Sequence, residues 1–299
     1  MAQPALDVFR ALDQGLASAV AAAGPSVLHV ARPRGGGSGI AWSEDLVVTS
    51  SFHTPDRTRV GIPQADGSLD TRDAEVIGRD PGTDVALLRV EGSGLTPAKL
   101  REGVDGLAVG NLALAVGRPG RSARASLRAI GVLGPEVRTP WGGRLDRYVE
   151  SDRQIPRGFA GGPLIDADGA VIGMNTRTLL RGADVAVPVA TLRRVVGELE
   201  QHGGVRRGYL GVGAYPAVLS PQLAGRDRGA LVANVEDGGP AAGAGLLVGD
   251  IIVELDGEPV SGPDSLRTTL GDRPGKAVKL VLLRGGARVE LDVTLGSRP

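Results

Sequence analysis

Few residues in this sequence offer side-chain chemistry. Cysteine is absent, which removes a thiolate nucleophile, a thiolate zinc site and any disulfide. Histidine occurs only at His29, His53 and His202, and three scattered imidazoles do not make a metal site. His29 lies in an apolar run and reads as a core or barrel-edge residue; His202 falls at a helix end, where a cation is favourable. No G-x-S-x-G elbow or H-E-x-x-H helix is present. Gly275-Lys276 continues into Ala277 rather than Ser or Thr, so it is not a phosphate-binding loop. No metal and no cofactor is expected. What stands out is a glycine-rich run, Gly158-Phe159-Ala160-Gly161-Gly162-Pro163-Leu164, followed closely by Gly169-Ala170-Val171-Ile172-Gly173-Met174-Asn175.

The elements that must hold this run in place are short. The chain has 299 residues, enough for about two domains at roughly 150 residues each. Gly 47 and Pro 20, with 41% hydrophobic residues and balanced charge, describe a folded protein rich in turns. Leu6, Phe9, Leu12, Leu16 and Val20 recur at helical spacing, so the chain opens with an amphipathic helix ending at Gly24-Pro25. From Ser26 to about Pro188 the pattern becomes brief apolar runs punctuated by Gly, Pro and Asp. Val27-Leu28-His29-Val30 and Val85-Ala86-Leu87-Leu88 are examples, and the whole is the mark of an all-β barrel or sandwich. Thr191 to His202 reads as a helix stopped by Gly203-Gly204. Beyond it, five strand patterns and two short helical ones, Pro240 to Ala244 and Pro263 to Leu270, make a compact α+β module.

The 34 basic and 34 acidic residues cancel, so no bulk field attracts polyanions and nucleic acid is not an expected partner. All but Lys99, Lys276 and Lys279 of the basic residues are arginine. No apolar run reaches the 18 or so residues needed to span a bilayer. No Lys or Arg precedes Arg10, and Asp7, Arg10 and Asp13 interrupt any hydrophobic stretch, so the start makes a poor signal peptide. The compartment stays unassigned with the cytoplasm favoured, a signal replaced by Met1 being the alternative.

The ordered motifs resemble the HtrA/Deg family, in which a chymotrypsin-like double β-barrel is joined to a C-terminal PDZ domain. Gly37-Ser38-Gly39-Ile40 is similar to the strand before the family's catalytic histidine, and Gly78 to Leu88 to its catalytic-aspartate segment. Gly117-Arg118-Pro119 and Ser151-Asp152 fit the strands leading to the nucleophile loop. Arg207 to Val212 resembles the PDZ carboxylate loop, and Gly245 to Ile252 its central strand. The resemblance implies a mainly-β fold: an N-terminal helix over 1–24, a trypsin-like domain with its linker helix over 25–203 and a PDZ domain over 204–299.

The departures from that family carry the functional expectation. Its nucleophile loop reads G-N-S-G-G-P or G-F-S-G-G-P, and here Ala160 stands at the serine. Its histidine follows Thr in T-x-x-H, and here Thr49-Ser50-Ser51 leads to Phe52. His53 comes one residue late, and counting on to Asp66-Gly67 needs no insertion. One residue of displacement turns a side chain about 100° in a helical turn or to the other face of a strand. Asp84 is then left without an imidazole to orient, and two of three members of a triad that works as a unit are gone. Backbone N–H groups of Gly158 and Ala160 remain able to form an oxyanion hole. Phe52 and Phe159 both fall at the cleft, as a plug over the lost imidazole and serine or as simple repacking.

Two alternatives stay open: Ala160 as a single disabling substitution in a serine endopeptidase, and His53 as a displaced base. The PDZ carboxylate loop, Tyr209-Leu210-Gly211-Val212, looks intact. Leu266, Thr269 and Leu270 of the following helix are expected to wall the groove, where a peptide or protein C-terminus adds a strand. The resulting expectation is a pseudoprotease that binds peptides as a scaffold or chaperone-like protein. Family likeness also implies a homotrimer held by the N-terminal helix, unless that helix only caps the barrel.

Overall fold

Short, strongly apolar strands close twice into barrels in the computed structural model, which describes residues 3–33, 35–52, 54–103, 105–180, 182–220, 227–271 and 273–298. A helix, α1 (Gln3–Ala23), leads through a 3-10 turn (Gly24–Ser26) into the first strand. Arg118 fixes that junction: its Nε donates to Val27 O at 2.7 Å and its Nη2 to Gly24 O at 3.0 Å.

The first barrel comprises β1 (Val27–Arg32), β2 (Gly35–Ala41), β3 (Leu46–Ser50), β4 (Arg57–Pro63), β5 (Leu69–Asp80) and β6 (Val85–Val90). They close in the order β1-β2-β3-β6-β5-β4, all antiparallel. Leu28, Val30, Val47, Val60 and Leu88 fill its interior. β4 is exposed or partly exposed over Arg57 to Arg59 and buried over Val60 to Ile62, whereas Leu46–Ser50 of β3 is buried throughout and accordingly reads as an unbroken apolar-to-hydroxyl run.

The second barrel uses β7 (Leu112–Gly117), β8 (Arg124–Gly134), β11 (Tyr148–Ser151), β12 (Pro163–Ile165), β13 (Val171–Leu180) and β14 (Ala183–Pro188), closing as β11-β14-β13-β12-β7-β8. Between β8 and β11 lies a small two-stranded hairpin, β9 (Val137–Arg138) and β10 (Arg144–Leu145). A helix, α2 (Val189–His202), follows. It buries Leu192, Val195, Val196 and Leu199 at helical spacing and ends on Gly203 in the left-handed conformation, φ 70°.

The chain divides into two compact units. The first is 1–137 with 145–204; the second is 138–144 with 205–299. In the second unit the sheet runs β16 (Val212–Val218), β17 (Arg228–Val235), β18 (Ile251–Leu255), β20 (Ala277–Arg284), β21 (Ala287–Thr294), with β19 (Glu258–Pro259) beside β18. β15 (Arg207–Tyr209) pairs separately with β22 (Gly296–Arg298). Two helices, α3 (Pro240–Gly243) and α4 (Pro263–Leu270), cover a core built from residues such as Leu210, Val232, Ile252, Leu266 and Leu280. The mainly-β double barrel followed by an α+β PDZ module is the fold class expected from the sequence.

Candidate functional site

Asp84 is placed by a tight turn after β5. Asp80 accepts from Gly82 N–H at 3.0 Å and from the Thr83 hydroxyl at 2.6 Å, and Asp84 itself is held at φ 57°, a left-handed conformation unusual for a non-glycine residue. Its carboxylate is fully buried and surrounded by donors. Ser50 donates to both oxygens at 2.9 Å, Thr176 donates to Oδ2 at 2.5 Å, and the Phe52 N–H donates to Oδ1 at 3.1 Å. Longer contacts come from Ser51 at 3.4 Å and Thr178 at 3.5 Å. Burial pushes the carboxyl pKa up, and the hydrogen bonds from Thr176, Ser50 and Phe52 only partly oppose it.

The backbone N–H of residue 52 thus sits against the buried carboxylate, and the side chain of Phe52 lines a cavity of about 800 Å³ together with Ser50, Gly158 and Ala160. The structure therefore gathers Asp84, Phe52, Gly158 and Ala160 in one place. His53 lies outside the described residues. Phe159, expected at the cleft, belongs instead to the second barrel's core with Ile130, Val149 and Leu164. Its ring lies over β7, where a Cβ on Gly117 would come within 2.8 Å of it.

The glycine-rich run earns its composition from crowding. Gly161 has φ 89°, and a Cβ there would lie 2.3 Å from Ser38 O and 2.5 Å from Thr49 Oγ1. Ser38 Oγ donates to Gly158 O at 2.7 Å and fixes the loop from below. The N–H groups of Gly158 and Ala160 donate to no acceptor among the described residues, leaving both available for an anion. No group in the loop can act as a nucleophile.

Three features of the cleft were not foreseen from the sequence: the Ser50 and Thr176 hydroxyls on Asp84, and Arg32 beside Ala160. Arg32 Nη2 donates to Ala160 O at 3.2 Å. The signal for it was a cation ending a strand opposite three consecutive glycines, since Arg32 pairs with Gly35 across the β1–β2 hairpin. His29 is half-buried on β1 with Nδ1 3.1 Å from Arg118 O, and His202 is exposed in the last turn of α2. Among the described residues no group of three or more His, Cys, Asp or Glu could hold a metal ion.

In the second unit, β16 is an edge strand whose described ladder runs to β17 alone, and α4 packs beside β15, β16 and β17. This leaves an open backbone edge next to a helix, the arrangement that accepts an added strand. Tyr209 ends β15, Gly211 is left-handed at φ 80° and Val212 opens β16. Leu210 and Leu266 are core residues, Thr269 is buried and Leu270 is partly buried against the same core. Leu210 O and Gly211 O accept from Ala241 N–H and Glu236 N–H, each at 2.9 Å, which fixes the loop. The Tyr209 hydroxyl bonds the Glu236 carboxylate and accepts from Arg298 Nη1 at 2.7 Å, with the Arg298 guanidinium 4.7 Å above the ring.

Comparison with known proteins agrees with this architecture. The model of the trypsin-like peptidase domain matches residues 37–174, and that of the PDZ domain matches residues 208–295. A probable periplasmic serine endoprotease DegP-like from Pseudomonas putida is 34% identical over 275 residues, covering 88% of this chain and 56% of the relative. One of the same description from Brucella suis is 33% identical over 279 residues, covering 90% and 54%. The chain therefore spans about half the length of the curated relatives it matches. Among solved structures, HtrA-type protease AlgW with decapeptide has a TM-score of 0.68 at 28% identity, covering 95% of this chain and 99% of that one. AlgW with tripeptide has a TM-score of 0.65 at 30% identity, covering 95% and 97%.

The expectation of a cytoplasmic protein is corrected by these relatives, which are named periplasmic. It had rested on the lack of a recognisable signal, and the first residues of a chain that matches only part of its relatives are no guide to compartment. No described helix is long and apolar enough to cross a membrane. With two matched domain families in the right order, and 30% identity over almost the whole of a solved HtrA-type protease, the chain belongs to the HtrA family of trypsin-like proteases bearing a PDZ domain.

Proposed function

We propose that this chain is a catalytically lapsed HtrA-family protein that binds peptide or protein C-termini through its PDZ groove, as a scaffold or chaperone-like binder. The observation that carries the reading is the pair Phe52 and Ala160 on one cavity in front of the buried Asp84. Neither a benzyl nor a methyl group can accept a proton or attack a carbonyl. Oxyanion donors alone leave hydrolysis very slow.

On the binding side, the edge of β16 supplies main-chain hydrogen bonds and the Tyr209–Val212 loop supplies N–H groups for a terminal carboxylate. A periplasmic location, taken from the relatives' names, belongs to the same proposal. So does self-assembly through α1, which exposes Leu6, Val8, Phe9 and Leu12; removal of residues 1–24 is expected to lower the mass seen by light scattering.

A second reading, a serine endopeptidase, is favoured by the names of the relatives, each called a serine endoprotease. It requires a nucleophile other than residue 160 or a natural serine at that position, and a base at His53. Reaction with a fluorophosphonate probe separates the two. The lapsed protein takes up no label and binds a free C-terminal peptide with micromolar affinity, losing it when the terminus is amidated. A serine adduct found by mass spectrometry establishes the endopeptidase.

A further inference from the structure

The cavity at the degenerate site has a charge pattern unlike the chain that contains it. The chain carries no net charge, yet the cavity is lined by Arg32, Arg157 and Arg177 and by no acidic side chain among the described residues. Arg177 is partly balanced by Asp184 at 3.7 Å. Arg157 is exposed and has no ion pair among the described residues.

Arg32 is the most telling of the three. Burial lowers its pKa while the Asp84 charge raises it. Its Nη2 reaches Ala160 O at 3.2 Å and Thr49 Oγ1 at 3.5 Å, and its buried Nε has no hydrogen-bond partner. A half-buried guanidinium whose direct hydrogen bonds go only to neutral oxygens, with the Asp84 charge opposing but not cancelling the cost of burial, is an expensive arrangement. The backbone makes room for it: a Cβ on Gly37 would lie 2.3 Å from both Cζ and Nε of Arg32. The facing strand is bare at the one place the arginine crosses it.

We propose that this cavity binds a carboxylate of an acidic peptide, with Arg32 as the anchoring cation and Arg157 as the second. A guanidinium fork matches a carboxylate in shape as well as charge. Phe52, Pro33 and Pro55 also line the cavity and suit the aliphatic body of a peptide. The free N–H groups of Gly158 and Ala160 add donors. A cleft of the kind that cuts peptides in relatives named as proteases becomes here a receptacle for one.

The site shares its location with the lapsed-protease reading but does not need it, since an active cleft would bind the same ligand and then cut it. The test uses the full chain in calorimetric titration with three probes. One is an acetylated, amidated hexapeptide containing two glutamates; the second is its glutamine counterpart; the third is that counterpart with a free C-terminus. The glutamate probe is expected to bind about tenfold more tightly than its blocked glutamine counterpart and to lose that margin in Arg157→Gln and in Arg32→Gln.

Arg157 is exposed, so its variant decides the matter even if Arg32→Gln folds poorly. Weakening of the free-terminus probe by the same substitutions assigns a chain terminus to the cavity; weakening of the glutamate probe alone assigns an acidic side chain. The proposal is overturned if glutamate and glutamine probes bind equally, or if Arg157→Gln keeps wild-type affinity for the glutamate probe. The probe's mass after incubation reports separately on catalysis: a cut probe refutes the lapsed-protease reading whatever the binding result.

Discussion

Thr176→Val probes the buried carboxylate at the heart of the cleft. Thr176 is fully buried, and its hydroxyl donates to Asp84 Oδ2 at 2.5 Å. Valine keeps the shape and removes only the donor. A hydrogen bond to a charged group is worth about 1.5–3 kcal/mol. In a unit of about 150–250 residues each kcal/mol moves the melting temperature by about 2–4 °C. The variant should therefore melt roughly 3–12 °C below wild type. The low end applies if Thr178, already 3.5 Å from the same oxygen, moves in to compensate.

Differential scanning calorimetry near pH 9, where the ionised carboxylate is most populated, reads the effect on the transition of the barrel unit. In an Asp84→Asn background the same substitution breaks a bond between neutral groups and should cost only about 0.5–1.5 kcal/mol. Equal losses in the two backgrounds, or a wild-type-like melt for Thr176→Val, would refute the claim that these hydroxyls hold a buried charge.

Three further outcomes follow from the same structure. Burial raises the Asp84 pKa above that of the unfolded chain, so its contribution is fully present below the ordinary carboxylate value and is lost as pH rises through the raised one. Wild type should thus lose stability relative to Asp84→Asn between acid and neutral pH, and melting curves with the opposite trend contradict this. Gly161→Ala places a methyl group 2.3 Å from Ser38 O at φ 89° and should destabilise the barrel unit by about 2–5 kcal/mol; an unchanged chemical denaturation midpoint sinks the crowding argument.

In the second unit, Arg284 Nε and Nη2 each lie 2.8 Å from the almost fully buried Asp250 carboxylate, which also accepts from Leu247 N–H. Burial pushes that carboxyl up, but the Arg284 hydrogen bonds, the Leu247 N–H and the Arg284 charge leave its pKa below the ordinary value. Its stabilisation is present above the unfolded pKa and lost as pH falls through the lowered one. Arg284→Gln should make the second unit unfold at a higher pH on acidification; an unmoved acid midpoint by circular dichroism rejects this.

Much of the architecture was legible because the barrels are built from local patterns. Val85–Val90 and Leu112–Gly117 announce themselves as apolar runs between turn residues, and Gly203 after α2 marks the end of the first unit. The nucleophile loop was legible because a left-handed, crowded turn demands glycine at 161. The carboxylate's partners were not, since Ser50 and Thr176 lie 34 and 92 residues from Asp84 and meet it only when the barrels close.

Phe159 misled for a related reason: its place in the loop says where its backbone is, not that its ring turns into the second barrel. The grouping of 138–144 with the second unit is likewise tertiary. Arg138 reaches Glu258 at 3.2 Å, and Trp141 O accepts from Arg207 at 3.1 Å. Arg32 was missed because the glycines opposite it, Gly37 above all, read as turn residues until the hairpin pairing sets them against its side chain.

The central claim is that residues 52 and 160 together abolish catalysis in an otherwise standing cleft. Its most direct test is casein degradation by three proteins: this chain, Ala160→Ser, and Phe52→His combined with Ala160→Ser. The account predicts cleavage by the double variant alone, since Asp84 already holds the backbone of residue 52 and awaits an imidazole there. Cleavage by the unaltered chain, or by Ala160→Ser alone, would contradict it and point to His53 or another group as a working base.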